Sequence, residues 1–129
     1  MSGANSSVSR FRLVFEITGK GTGECELVRH LAPLTANALL KALPVQDRVH
    51  RLEDKLVYIE TGLTIGAEKQ RTQFKRGDLA LMPSNASICF VIKDCIIQNL
   101  NPIGKIISNI KMVESCQPGD VLTIKRATV

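Results

Sequence analysis

The 129-residue chain has no tryptophan, one tyrosine and four phenylalanines, an aromatic share of 4%. Its core must therefore be built mainly from Leu, Ile and Val. The same scarcity argues against an RNA-binding sheet, which stacks bases on several aromatic side chains. There are two histidines, and the four cysteines at 25, 89, 95 and 116 form no C-x-x-C pair. Zinc-site spacings are missing, so no metal and no cofactor is expected. Cys89 and Cys95 lie in or beside apolar runs, where a thiol acts as a small hydrophobe. No apolar run reaches membrane-spanning length, and residues 1–9, MSGANSSVS, lack the apolar stretch of a secretory signal. These absences predict a cytoplasmic protein with no membrane partner. A flexible tail over 1–9 precedes a single domain over 10–129.

Hydrophobic residues make up 44% of the chain and charged ones 22%, the balance of an ordinary globular protein. A formal charge of +5 raises the question of nucleic acid. The densest basic segment, residues 69–76 (KQRTQFKR), holds a single aromatic, Phe74, and no DNA-reading motif accompanies it. It reads as a solvated loop, and nucleic acid is not an expected partner.

Residues 77–92, GDLALMPSNASICFVI, are the most informative stretch. Gly77-Asp78 is a turn, 79–82 a short apolar run, Pro83 to Ala86 a second turn, and 87–92 a run rich in β-branched and aromatic residues. Two such runs around a turn read as paired antiparallel strands. Because both are apolar on both faces, they belong in the middle of a closed or doubly covered sheet. Elsewhere, 11–18 alternates as a half-buried strand and 24–31 returns as its partner across a glycine-rich turn. That turn is followed by a strand, which excludes a phosphate loop. Residues 32–43 form the best helix, with Ala36, Leu39, Leu40 and Leu43 on one stripe, Pro33 in its first turn and Pro44 stopping it. A hairpin is predicted over 48–52 and 55–60, and 61–76 reads as a surface excursion with a short strand near 63–65. Residues 95–100 and 103–108 read as two strands separated by Asn101-Pro102. Asn109 caps a short helix through Val113, and 121–126 is the last strand. About eight short strands and two helices predict a mainly β fold, a closed barrel with helices over its ends.

Three segments together resemble the cyclophilins. Ala32-Pro33-Leu34-Thr35-Ala36-Asn37 is similar to the opening of their first helix. Residues 77–92 resemble their G-x-L-[AS]-M stretch, with Ser84-Asn85-Ala86 for an Ala-Asn-Ala step and 88–92 for the strand that follows. Residues 103–113 (IGKIISNIKMV) resemble a late F-G-K-V-V segment. The overall match is closer to small, shortened cyclophilin-like proteins of archaea and bacteria that share G-D-x-x-x-x-P-x-x-x-x-[IL]-C. Gly77, Asp78, Pro83, Ile88 and Cys89 reproduce that pattern. This group has no settled function, so the resemblance implies a fold more firmly than an activity.

Cyclophilin prolyl isomerases carry an arginine in an F-H-R-[VI] strand, and Val49-His50-Arg51-Leu52 resembles it. Such an arginine lowers a rotation barrier of about 18–20 kcal/mol by hydrogen bonding near the prolyl amide. The aromatic and glutamine segment that should follow has no counterpart after Leu52. A second groove glutamine is replaced by Cys89, the second aromatic by Val91, and the later Trp and His are absent. Arg51 is thus the sole catalytic candidate, and only for an isomerase. His50, of opposite strand parity, reads as a surface histidine. Tyr58, Asn85, Cys89 and Phe90 join Arg51 as ligand-binding candidates, though Tyr58 also reads as a core residue, Asn85 as a turn former and Cys89 as a buried thiol. The leading expectation is a barrel that binds a peptide or small molecule near Arg51, Tyr58 and Asn85, with little or no isomerase activity. The alternative is a peptidyl-prolyl isomerase using Arg51. Oligomeric state and thiol pairing stay open.

Overall fold

A computed structural model describes residues 9–127. Residues 1–8 of the expected tail over 1–9 lie outside them. Ser9, the first described residue, accepts the Arg29 N–H through its carbonyl at 2.7 Å.

The described chain is mainly β. Ten strands run in order as β1 (Arg10–Ile17), β2 (Gly21–Val28), β3 (Val45–Arg48), β4 (His50–Leu52), β5 (Leu56–Glu60), β6 (Arg71–Phe74), β7 (Asp78–Met82), β8 (Ser87–Val91), β9 (Cys95–Ile106) and β10 (Val121–Arg126). Helix α1 (Pro33–Ala42) follows β2, and α2 (Ile110–Glu114) precedes β10. Nine strands hydrogen-bond side by side in the order β3-β10-β1-β2-β9-β7-β8-β5-β4, and β6 adds to β9 off this path.

The expected closed barrel is not what forms, because the ladder has two ends, β3 and β4. These ends are one stretch of chain divided at Val49. Its first half pairs with β10 and its second half with β5. Val49 itself exchanges bonds with Asp120 and Gly119 beside β10, at 2.7 and 3.0 Å. Four further expectations change. The basic segment is strand β6, not a loop, and 63–65 is not a strand. Asn101-Pro102 does not divide β9. Pro102 lies where β9 passes from pairing with β6 to pairing with β2, and a bulge against β7 at this point accommodates a residue that cannot donate to a ladder. Asn109 precedes α2 in the left-handed region but does not cap it. Its amide donates to the Thr22 carbonyl instead.

Alternation along the strands sorts side chains into two apolar clusters. The larger contains Phe15, Leu27, Val57, Leu79, Phe90 and Leu122, with the Phe15 and Phe90 rings edge to face at 5.3 Å. Helix α1 adds Leu39 and Leu40 to it. The smaller cluster, on the opposite face, contains Leu56, Phe74, Ala80, Cys89, Val91 and Leu100. Strands β2 and β9 approach so closely at Gly104 that a Cβ there would lie 1.9 Å from the Glu26 carbonyl oxygen.

The irregular segment between β5 and β6 is anchored by polar groups. Asn101, fully buried, accepts the Glu68 N–H (2.9 Å) and donates to Thr35 Oγ1 (3.1 Å) and the Gly66 carbonyl (2.9 Å). Glu68 in turn accepts from the Leu34 and Thr35 N–H groups and the Thr35 hydroxyl at the first turn of α1. Burial pushes the Glu68 carboxyl up, but those donors outweigh it and hold the group below its ordinary value of 4.5. A carboxyl depressed on folding contributes stability above its unfolded value and loses it as pH falls. Urea unfolding should therefore show stability declining below about pH 4.5, with a shallower decline in Glu68→Gln. An unchanged slope in that variant would remove this role.

Candidate functional site

The antiparallel register of β4, β5, β8 and β7 decides which side chains meet. Arg51, Val57, Phe90 and Leu79 form one row, on the face of the larger cluster. His50, Tyr58, Cys89 and Ala80 form the next row, on the opposite face. Thus the expected site residues do not converge. Arg51 and Phe90 lie on one face, Tyr58 and Cys89 on the other.

Phe90 is fully enclosed in the core and presents nothing to a ligand. Cys89 is equally enclosed, with its thiol against the Ser87 carbonyl at 3.6 Å. Burial pushes that thiol up to about 12, the opposite of what a nucleophile requires. All four cysteines are free thiols. Asn85 is exposed in the turn between β7 and β8. Tyr58 is half-buried, and its ring stacks on His50 at 5.1 Å and 20°.

Arg51 is partly buried and donates from Nη1 to the Glu114 and Cys116 carbonyls at 3.0 and 2.7 Å. Those carbonyls end α2, where a cation also meets the negative end of the backbone dipoles. The guanidinium is engaged in holding α2 against the sheet.

Concave surface lies elsewhere, in a cleft of about 1050 Å³ between β6 and the bend of β9. Arg71, Phe74, Asp78, Cys95, Ile96 and Lys105 contribute to its walls. Arg71 sits 5.1 Å over the Phe74 ring and 3.7 Å from Asp78 Oδ2. Asp78 is nearly buried and accepts the Lys75 N–H at 2.8 Å, and it faces Lys105 across the β7–β9 ladder. Ile96 is 69% exposed, an unusual position for a large apolar side chain. Burial raises the Cys95 thiol above its ordinary value, which disfavours it as a nucleophile. The cleft therefore offers apolar surface, an aromatic under a guanidinium and paired charges, the mixed lining of a ligand site.

A third grouping sits where the two ends of the ladder meet. Asp47 Oδ2 accepts the Glu60 N–H at 2.9 Å and lies 3.4 Å from His50 Nε2. Ligand atoms of Asp47, His50 and Glu60 all fall within 4.8 Å of one another. Burial pushes the Asp47 carboxyl up, but the N–H groups of Glu60 and Arg48 and the neighbouring imidazole outweigh it, leaving the carboxyl below its ordinary value.

Sequence reasoning missed the cleft because it read β6 as a loop. It missed the Asp47 grouping because β3 was not read as a strand. Only strand parity carried a usable signal, setting His50 apart from Arg51.

A family profile described as the Cyclophilin-like family matches residues 32–125. The chain belongs to that family. Among solved structures, the solution structure of a hypothetical protein from Archaeoglobus fulgidus superposes with a TM-score of 0.78 at 23% identity, covering 92% of this chain and 96% of that one. McbB, solved in complex with tryptophan, superposes with a TM-score of 0.74 at 16% identity, covering 91% of this chain and 46% of that one. Both likenesses are likenesses of fold. No curated protein matches the chain in sequence. Among the described residues no helix is long and apolar enough to cross a membrane.

Removing the Arg51 guanidinium leaves two carbonyls without their donor. Arg51→Ala should cost about 2–3 kcal/mol in urea unfolding, the scale of a lost charged hydrogen-bonding group. A loss under about 0.5 kcal/mol would show that the contact carries little, as exposed pairs usually do.

Proposed function

We propose that this Cyclophilin-like family member is a binding domain for a peptide or small molecule, with little or no prolyl isomerase activity, and that its ligand sits in the cleft between β6 and β9. The observation that carries this reading is the cleft itself. Its volume of about 1050 Å³ is at the upper end of ligand-sized sites, and apolar and charged groups share its walls. The state of Arg51 supports the second half. An isomerase arginine must be aimed at a prolyl amide, and this one is committed to the Glu114 and Cys116 carbonyls.

The basic segment supports a small ligand over nucleic acid. Two of its cations have carboxylate partners, Arg71 with Asp78 and Arg76 with Glu114. Cations neutralised within the protein release few counterions from a phosphate backbone. McbB's complex with tryptophan suggests one probe for a scaffold of this shape.

Two probes test the reading by amide NMR: free tryptophan and an Ala-Ala-Pro-Phe peptide. At least one should shift resonances around Arg71, Phe74, Ile96 and Lys105, and Arg71→Ala should weaken that binding about tenfold. The peptide's cis–trans exchange rate should stay at its uncatalysed value. Catalysis that disappears in Arg51→Lys, with the fold intact by NMR, would reinstate an isomerase. Shifts confined to the Tyr58 face would move the site.

A further inference from the structure

We propose that Asp47, His50 and Glu60 form a binding site for a divalent transition-metal cation of the zinc type, separate from the cleft. Their donor atoms come from three strands, β3, β4 and β5, brought together where the ladder ends. One imidazole nitrogen and two carboxylates are a donor set that zinc and its neighbours accept, with a remaining position for water.

Spacing fits the chemistry. Tetrahedral ligands at about 2.0–2.2 Å from zinc stand about 3.3–3.5 Å from one another. Asp47 Oδ2 and His50 Nε2 are 3.4 Å apart, long for a hydrogen bond and right for two ligands of one ion. The Glu60 carboxylate, at the exposed end of β5, lies within 4.8 Å of both and closes on an ion by rotamer adjustment.

Three further observations point to a cation here. First, neither Asp47 nor Glu60 is within ion-pairing distance of a lysine or arginine among the described residues, although cations outnumber acids in the chain by 17 to 12. In such a basic protein, two neighbouring carboxylates with no lysine or arginine beside them, and only the His50 imidazole close by, make a local negative spot. Second, the His50 ring is already held by its stack on Tyr58, and the N–H of Glu60 orients the Asp47 carboxylate. Fixed ligands lose little freedom on binding, and supports of this kind set the orientation of metal ligands. Third, Ser87 stands directly opposite Glu60 in the β5–β8 ladder, and its hydroxyl is buried without a hydrogen-bond partner. Cross-strand partners share a face, so Ser87 is on the Glu60 face of the sheet, and a metal-bound water within reach of its hydroxyl would supply the missing partner. An ion at this place would bridge β3 and β4 to β5 across the gap in the ladder.

The test uses the full-length, untagged chain and the metal alone. Zn²⁺ titrated calorimetrically should bind with one-to-one stoichiometry and raise the Tm, since a ligand of the native state stabilises it by mass action. Co²⁺ should give a visible spectrum without a thiolate charge-transfer band, which separates this site from the four cysteines. His50→Ala should weaken binding at least about 10-fold, because losing a ligand costs no less than losing the groups that orient one. Glu60→Gln is the second variant. It lies at an exposed strand end and leaves the fold undisturbed, so it keeps the test valid if His50→Ala loses the Tyr58 stack and unfolds. Binding that survives Glu60→Gln unchanged would overturn the proposal. So would a thiolate band, or the absence of any Zn²⁺ binding at millimolar metal. Tryptophan and peptide binding in the cleft should be unaffected by either variant, so this proposal and the cleft reading fail independently.

Discussion

Strand β8 is buried on both faces, and the rest of the molecule is arranged to make that possible. All five of its residues, Ser87 to Val91, are shielded from solvent. Ile88 and Phe90 go to the larger cluster, Cys89 and Val91 to the smaller. A sheet that is apolar on both faces needs a cover on each. The wrapped sheet and α1 supply one. The other includes β6, whose Phe74 joins the smaller cluster and is 3% exposed. Burying a side chain of that size stabilises by about 1.5–3 kcal/mol. To reach this position β6 must pair with the first half of β9, and the bend of β9 at Pro102 then leaves the cleft between them. Fold stability and the candidate binding site therefore follow from the same placement.

Within this Cyclophilin-like frame, Arg51 is tied to the end of α2. A guanidinium with carbonyl acceptors at 2.7 and 3.0 Å is a structural strut. Val57, opposite it in the ladder, and Phe90, on the next strand, are buried core residues. What the face beside it presents instead is the His50–Tyr58 stack. That face adjoins the paired carboxylates of Asp47 and Glu60 rather than an aromatic groove.

Much of the frame was legible residue by residue. The alternation of Phe11, Leu13, Phe15 and Ile17 placed β1, and Phe15 and Ile17 are fully buried. The Ala36, Leu39, Leu40 stripe placed α1, and all three residues are buried in it. The doubly apolar runs of 77–92 became β7 and β8. What could not be read were elements whose sequences lack a strand's alternation. β6 (RTQF) has three exposed residues and one buried one, and β3 (VQDR) buries none, its Gln46 and Arg48 being exposed and Val45 and Asp47 half-buried. Both are held by their partners, β9 and β10, rather than by their own pattern. The cleft and the Asp47 grouping each depend on one of these two strands, so neither could be foreseen.

Periodicity of two or 3.6 residues is written locally, and so the chain alone determined its class, most of its strands, its principal helix and which residues of β5, β7 and β8 would be inside. Parity alone also set His50 and Arg51 on opposite faces. Tertiary structure decided which distant residues share a corner: Arg51 with the end of α2, Arg71 with Asp78, Asp47 with His50 and Glu60. Local pattern tells a side chain whether it faces water or core. Only the pairing of strands far apart in the chain tells it which other side chain it will meet.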